Sequence, residues 1–101
     1  MIEYDNISDI RNRMLPAALY EQLAEECVEL AHAALKTARV LRGENYTPRT
    51  MRECMGMMQE ETNDVHLVAR VLGLKPDPEM VRHKLERWYE RLEGHDRAGD
   101  P

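Results

Sequence analysis

The sequence predicts an all-α chain: a long antiparallel helical hairpin with shorter flanking helices, which would complete a four-helix bundle in an oligomer. Three observations carry that prediction. Leu, Ala, Glu, Met and Arg dominate the 101 residues, and all are good helix formers, whereas β-branched residues are scattered and Phe is absent. Proline and glycine fall where helices start and stop rather than inside them. The segments between them carry apolar residues at helical spacing.

In chain order, a short first helix is expected from about Asn6 to Arg13, with Ile7, Ile10 and Met14 on one side. Leu15-Pro16 opens a long helix, because proline at the first helical position has no N–H to leave unpaired. Gly43 is a plausible left-handed stop for it. After the loop Gly43-Glu44-Asn45-Tyr46, Thr47-Pro48 reads as an N-cap followed by proline, opening a second long helix that ends at Gly73. Lys75-Pro76-Asp77-Pro78 breaks the chain again, with Asp77 as cap, and a last helix continues to about Leu92. Residues 1–93 read as a single domain and 94–101 as a flexible tail. The two long arms, of roughly 25 residues each, would lie antiparallel across a short connection. So thin an object can hardly cover its own apolar stripes, so a homodimer or homotetramer is expected.

Composition narrows the function. Hydrophobic residues at 43% and charged residues at 33% exclude a disordered tail and a membrane span. A net charge of −5 with no basic run argues against binding a nucleic-acid polymer, whose affinity comes from phosphate neutralisation. No signal peptide or disulfide framework is visible, which predicts a cytoplasmic protein.

The informative feature is where the acids fall. With Glu61 at zero on a helical wheel, Cys54, Met57, Met58, Val65, Val68 and Leu72 all lie within about 60° of it. Glu61 thus sits in the middle of an apolar face, with Asp64 at its edge. On the preceding helix Leu19, Leu23, Leu30 and Leu41 define the stripe expected to be buried. Glu26 lies beside them, flanked by Glu29 and Gln22, and Glu25 is further out. Folding the hairpin about residue 45 brings Glu29 opposite Glu61 and Glu26 opposite Asp64. Carboxylates about 4–5 Å apart repel by roughly 3–4 kcal/mol per pair at an effective dielectric of 20. A cation relieves such a cluster, and all-oxygen ligands favour Mg²⁺ or Mn²⁺. The alternative is a clamp of buried Lys or Arg, for which Lys84, Arg87 and Arg91 are available.

On the last helix Val81, Leu85, Trp88 and Leu92 form an apolar face with Lys84, Arg87 and Arg91 along one flank. A basic strip beside an acidic nest suits a polyphosphate, and Lys36, on the Glu29 side of its own helix, is a further candidate. The remaining candidates read as structural. Cys27 and Cys54 differ by some 13 Å in level and are expected as core thiols. His66 and His83 point away from the acids. Met51, Met55, Met57 and Met58 suit core or oligomer contacts, and Trp88 suits packing. Tyr46 and Tyr89 are candidate base contacts.

Glu25-Glu26-Cys27-Val28-Glu29-Leu30 and Glu60-Glu61-Thr62-Asn63-Asp64-Val65 resemble the EExxE and ExxD motifs of the MazG-like, all-α nucleoside triphosphate pyrophosphohydrolases. Lys84-Leu85-Glu86-Arg87 resembles that family's downstream phosphate-binding segment, with Arg87 where many members have Asn. The likeness runs from about Leu19 to Arg91. It implies hydrolysis of an NTP or dNTP at the α–β phosphoanhydride to NMP and pyrophosphate, with Mg²⁺ as cofactor. Residue by residue, it implies Glu26, Glu29, Glu61 and Asp64 as metal ligands, and Glu25 either as a group outside the ligand set or as one that helps orient the attacking water. Lys84, Arg87, Arg91 and Lys36 would then take up phosphate charge.

Two other readings start from the same residues. Glu29-Leu30-Ala31-His32 has the ExxH spacing of di-iron carboxylate bundles, although no His follows Glu61 at that spacing. A helical module that binds a nucleotide or a partner helix without turning anything over would keep the acids as well.

Overall fold

The structure, a computed structural model, describes residues 2–44 and 48–99, with side chains from 6 to 44 and from 48 to 95. Among these residues every regular element is a helix: α1 (Ile2–Arg13), α2 (Pro16–Arg42), α3 (Met51–Val71) and α4 (Pro78–Gly99). The expected all-α class and order of elements are present. α1 begins a turn earlier than expected, since no Gly or Pro interrupts the chain between Ile2 and Asn6.

Local chemistry accounts for most of the boundaries. Leu15 is extended (φ −67°, ψ 138°), as the residue before a proline should be, and Pro16 opens α2. Gly43 ends α2 in the left-handed region at φ 68°, its N–H donating to the Val40 carbonyl at 3.2 Å. α3 does not start on Pro48. Its N-cap is Thr50, whose Oγ1 accepts from the Glu53 N–H at 3.1 Å while the Glu53 carboxylate accepts from the Thr50 N–H at 3.3 Å. That reciprocal capping box outcompetes the proline signal, because it satisfies donors at both ends of the first turn. Thr47, expected as the cap, and Tyr46, a candidate base contact, lie outside the described residues.

At the far end of α3, Gly73 (φ 78°) donates to the Arg70 carbonyl at 3.0 Å and Leu74 to the Ala69 carbonyl at 2.9 Å. These two bonds form a Schellman stop. Arg11 of α1 adds a cation at the same carbonyl end, its Nε donating to the Val71 oxygen at 2.6 Å. Asp77 caps α4 as expected, accepting from the N–H groups of Glu79 and Met80. α4 does not stop near Leu92. Gly94 has no positive φ to turn the chain, so the segment read as a flexible tail is helical as far as Gly99.

α2 and α3 pack along each other as the hairpin, and α1 packs against α3. Among the described residues α4 makes no comparable packing against the other three helices. The buried apolar core is correspondingly small: Leu19, Ala33, Cys54 and Val71. Leu41, expected in the buried stripe, is 69% exposed. It lies on the last turn of α2, beyond the level at which α3 begins, so no helix opposes it. Cys27, expected in the core, is also exposed, because it sits at roughly 80° from Leu19 on the wheel and outside the hairpin seam. The radius of gyration is 18.3 Å, against about 13 Å for a compact chain of this length.

The capping box gives a direct check on the fold. Thr50→Ala should lower stability by about 1 kcal/mol in urea unfolding, with no loss of helical circular dichroism below the transition.

Candidate acidic site

α2 and α3 bring three acids together. One carboxylate oxygen each from Glu26, Glu29 and Glu61 lies within 4.8 Å of the other two. Their convergence follows from the hairpin register. Glu26 and Glu29 are one turn apart on α2, and Glu61 projects from the apolar face of α3 at their level. Gln22, one turn before Glu26, fixes it by donating from Nε2 to Oε1 at 2.7 Å. The sequence reading set Gln22 beside Glu26 without assigning this bond, although i and i+4 is a spacing at which helical side chains meet.

Glu61 is the focus of the cluster. Its Oε2 is buried and has no hydrogen-bond partner. Burial pushes its carboxyl pKa above the ordinary 4.5. The charge of Glu29, the charge of Asp64, hydrogen bonding to Glu29 and the charge of Glu60 push in the same direction, in that order of size. The ion pairs of the described residues, Arg13–Asp9, Arg42–Glu44, Arg82–Glu79, Arg82–Glu86 and His83–Glu86, involve none of Glu26, Glu29, Glu61 and Asp64. The clamp of basic residues that could have explained these acids is absent from the described structure.

The other candidates fall elsewhere. Asp64 stays outside the triplet, because it lies a turn beyond Glu61 at the edge of the inward face and has the shorter side chain. Its charge nevertheless reaches Glu61. Glu25 is exposed and borders a shallow depression with Ala24, Val28, Glu29 and His32. His32 is exposed and outside the triplet, so the ExxH pair is not assembled with Glu61. Lys36 is partly buried on α2, two turns beyond Glu29. Lys84, Arg87 and Arg91 are exposed on α4, and within one chain that helix does not lay them against the acids. Tyr89, Trp88, His66 and His83 are exposed as well.

The site is therefore a carboxylate nest with one neutral donor, one orphaned oxygen and no fixed cation. Such a donor set suits a hard divalent ion and offers no soft ligand. Comparison of the chain with protein-family models, with curated proteins and with solved structures finds no match. No helix among the described residues is long and apolar enough to cross a membrane.

The raised pKa of Glu61 has a measurable consequence. Between pH 4.5 and that raised value the folded chain holds a proton that the unfolded chain releases, so stability falls as pH rises through this window. Glu61→Gln removes this contribution. In metal-free buffer the melting temperature of the variant should gain on that of the parent as pH rises from about 4.5 to neutrality. A constant difference across the series would contradict the burial of this carboxylate.

Proposed function

We propose that the protein is a Mg²⁺-dependent nucleoside triphosphate pyrophosphohydrolase, which cleaves an NTP or dNTP at the α–β phosphoanhydride to NMP and pyrophosphate. The observation that supports this most is the orphaned, buried Glu61 Oε2 in a triplet of acids that holds no cation of its own. The motif resemblance turns that general metal chemistry towards a nucleotide.

In this reading Glu26, Glu29 and Glu61 hold Mg²⁺, or Mn²⁺, with Asp64 as a further ligand. The ion supplies charge compensation for the phosphate oxygens and lowers the pKa of bound water. The remaining work falls to the chain. Gln22 holds Glu26 in one orientation, which keeps the nest formed before the ligand arrives. Glu25, bordering the same depression as Glu29, orients a water and accepts its proton. Lys84, Arg87 and Arg91, with Lys36, offset the charge that develops on the departing pyrophosphate. Because one chain does not lay α4 against its acids, those cations reach the substrate by movement of α4 or from a second copy. Self-association, as a homodimer or homotetramer completing a four-helix bundle, and action in the cytoplasm belong to the same reading.

The test is a panel of NTPs and dNTPs with Mg²⁺, read as pyrophosphate release. At least one nucleotide should give NMP and pyrophosphate, and chelation by EDTA should abolish the reaction. Glu61→Gln and Glu26→Gln should each lower kcat/KM on the order of 100-fold or more, the upper end of what losing support for a metal ligand costs. Lys84→Ala should act mainly on KM, by about tenfold. Mg²⁺ or nucleotide binding without turnover of any member of the panel would replace the hydrolase with a helical nucleotide-binding module.

A further inference from the structure

A cleft of about 520 Å³ begins one turn beyond Glu61, between α3 and the segment that leaves it. It includes neither the acid triplet nor the basic strip of α4. Its volume falls within the roughly 300–1,000 Å³ of small-molecule sites.

The cleft follows from how α3 ends. Gly73, in the left-handed region at φ 78°, turns the chain back, and Leu74, Lys75 and Pro76 then form a wall beside the last turns of the helix. Pro76 and Pro78 each fix φ and restrict the residue before them to extended backbone, so this wall is set before any ligand arrives. A preformed wall lowers the ordering cost of binding.

The helical wall is made of two rows. With Glu61 at zero on the wheel, Val65 and Ala69 lie at about 40° and 80°, and His66 and Arg70 at about 140° and 180°. One row is apolar and the other carries N–H donors. Asp64 lies at about −60°, on the other flank of the helix. Ala69 has only a methyl group, which leaves the floor open where a longer side chain would fill it. Across from these rows, Leu74 and Pro76 are apolar and Lys75 adds an ammonium group at the lip.

The charge of the lining has one sign. No Asp or Glu lines the cleft, although the chain carries 19 acids against 14 lysines and arginines. Asp77, next to it in the turn, accepts from the N–H groups of Glu79 and Met80 and so serves α4. A neutral apolar solute would give the cationic row nothing to bind, and an inorganic anion would leave the apolar floor wet. A ligand with both parts satisfies both rows. Its body would lie against Val65, Ala69, Leu74 and Pro76, and its anionic end would meet Arg70 and Lys75, with a further N–H donor from the His66 ring.

We propose that this cleft binds a small organic anion, an apolar body that ends in a carboxylate or phosphate group. The site is separate from the acid nest, so the assignment stands whether or not the chain hydrolyses nucleotides.

The probe is phenyl phosphate, titrated into the full nitrogen-15-labelled chain in magnesium-free buffer and followed by amide chemical shifts. The shifts should saturate with a Kd on the order of 1 mM and cluster on the amides from Val65 to Arg70 and from Gly73 to Lys75. Benzyl alcohol, which has the ring without the charge, and inorganic phosphate, which has the charge without the ring, should each bind at least about tenfold more weakly. Benzoate distinguishes the two head groups: saturable binding of either probe supports the proposal, and the tighter of the two names the anion. Lys75→Glu should weaken phenyl phosphate at least about tenfold. Ala69→Leu should abolish saturable binding with the helical circular dichroism unchanged. Lys75 is exposed and outside the helices, so its variant carries the test if Ala69→Leu disturbs the fold. Glu61→Gln should leave the affinity unchanged, which keeps this result distinct from the fate of the hydrolase reading. The proposal is overturned if neither phenyl phosphate nor benzoate gives saturable shifts, or if benzyl alcohol or inorganic phosphate matches them. Shifts that map to Lys84, Arg87 and Arg91 instead, or an affinity that Lys75→Glu does not change, would overturn it as well.

Discussion

The structure turns on the placement of Glu61. An acid at the centre of the apolar face of α3, opposed at its own level by two acids of α2, combines loss of solvation with like-charge repulsion. Neither effect is relieved by a neighbouring lysine or arginine among the described residues. The Glu61 carboxyl responds with a raised pKa, which eases its protonation, and the Gln22 amide holds Glu26. Both responses leave a buried oxygen without a partner, a cost that packing alone gives no reason to keep.

Such a nest needs a rigid frame, and the frame here is made of helix ends more than of core. Among the described residues the buried apolar set is four, one of them alanine and one cysteine. The seam is defined instead by the left-handed stop at Gly43, the reciprocal cap of Thr50 and Glu53, and the Schellman turn at Gly73 with Arg11 bound beside it. These devices fix where each helix begins and ends, and so the register in which α2 meets α3. A slip of one residue would rotate Glu61 by about 100° and break up the triplet.

Much of this was legible in the sequence, because punctuation and periodicity are local. Pro16, Gly43, Gly73 and Asp77 act where their chemistry predicts, and mirroring about residue 45 correctly opposed Glu29 and Glu61. What was not legible depended on competition or on distance. The sequence reading started α3 at Thr47-Pro48, and the capping box of Thr50 and Glu53 that sets the actual start was not read. Asp64 satisfied the wheel but not the reach of its side chain. Leu41 and Cys27 looked buried because periodicity does not say where the opposing helix stops or how wide the seam is. The position of α4 depends on long-range packing, and no sequence pattern fixes it.

That last point bears on the chemistry. The acid triplet lies on the hairpin and Lys84, Arg87 and Arg91 lie on α4, separated by the turn from Gly73 to Asp77. Were the two sets meant to neutralise each other, Lys84, Arg87 and Arg91 would be expected to pack against the triplet, and burial of the α4 stripe would reinforce the contact. Instead the stripe of Val81, Leu85, Trp88 and Leu92 stays open to solvent. Acids and bases kept apart fit better with a ligand that carries both a metal ion and negative charge, because such a ligand engages each set with the sign it lacks.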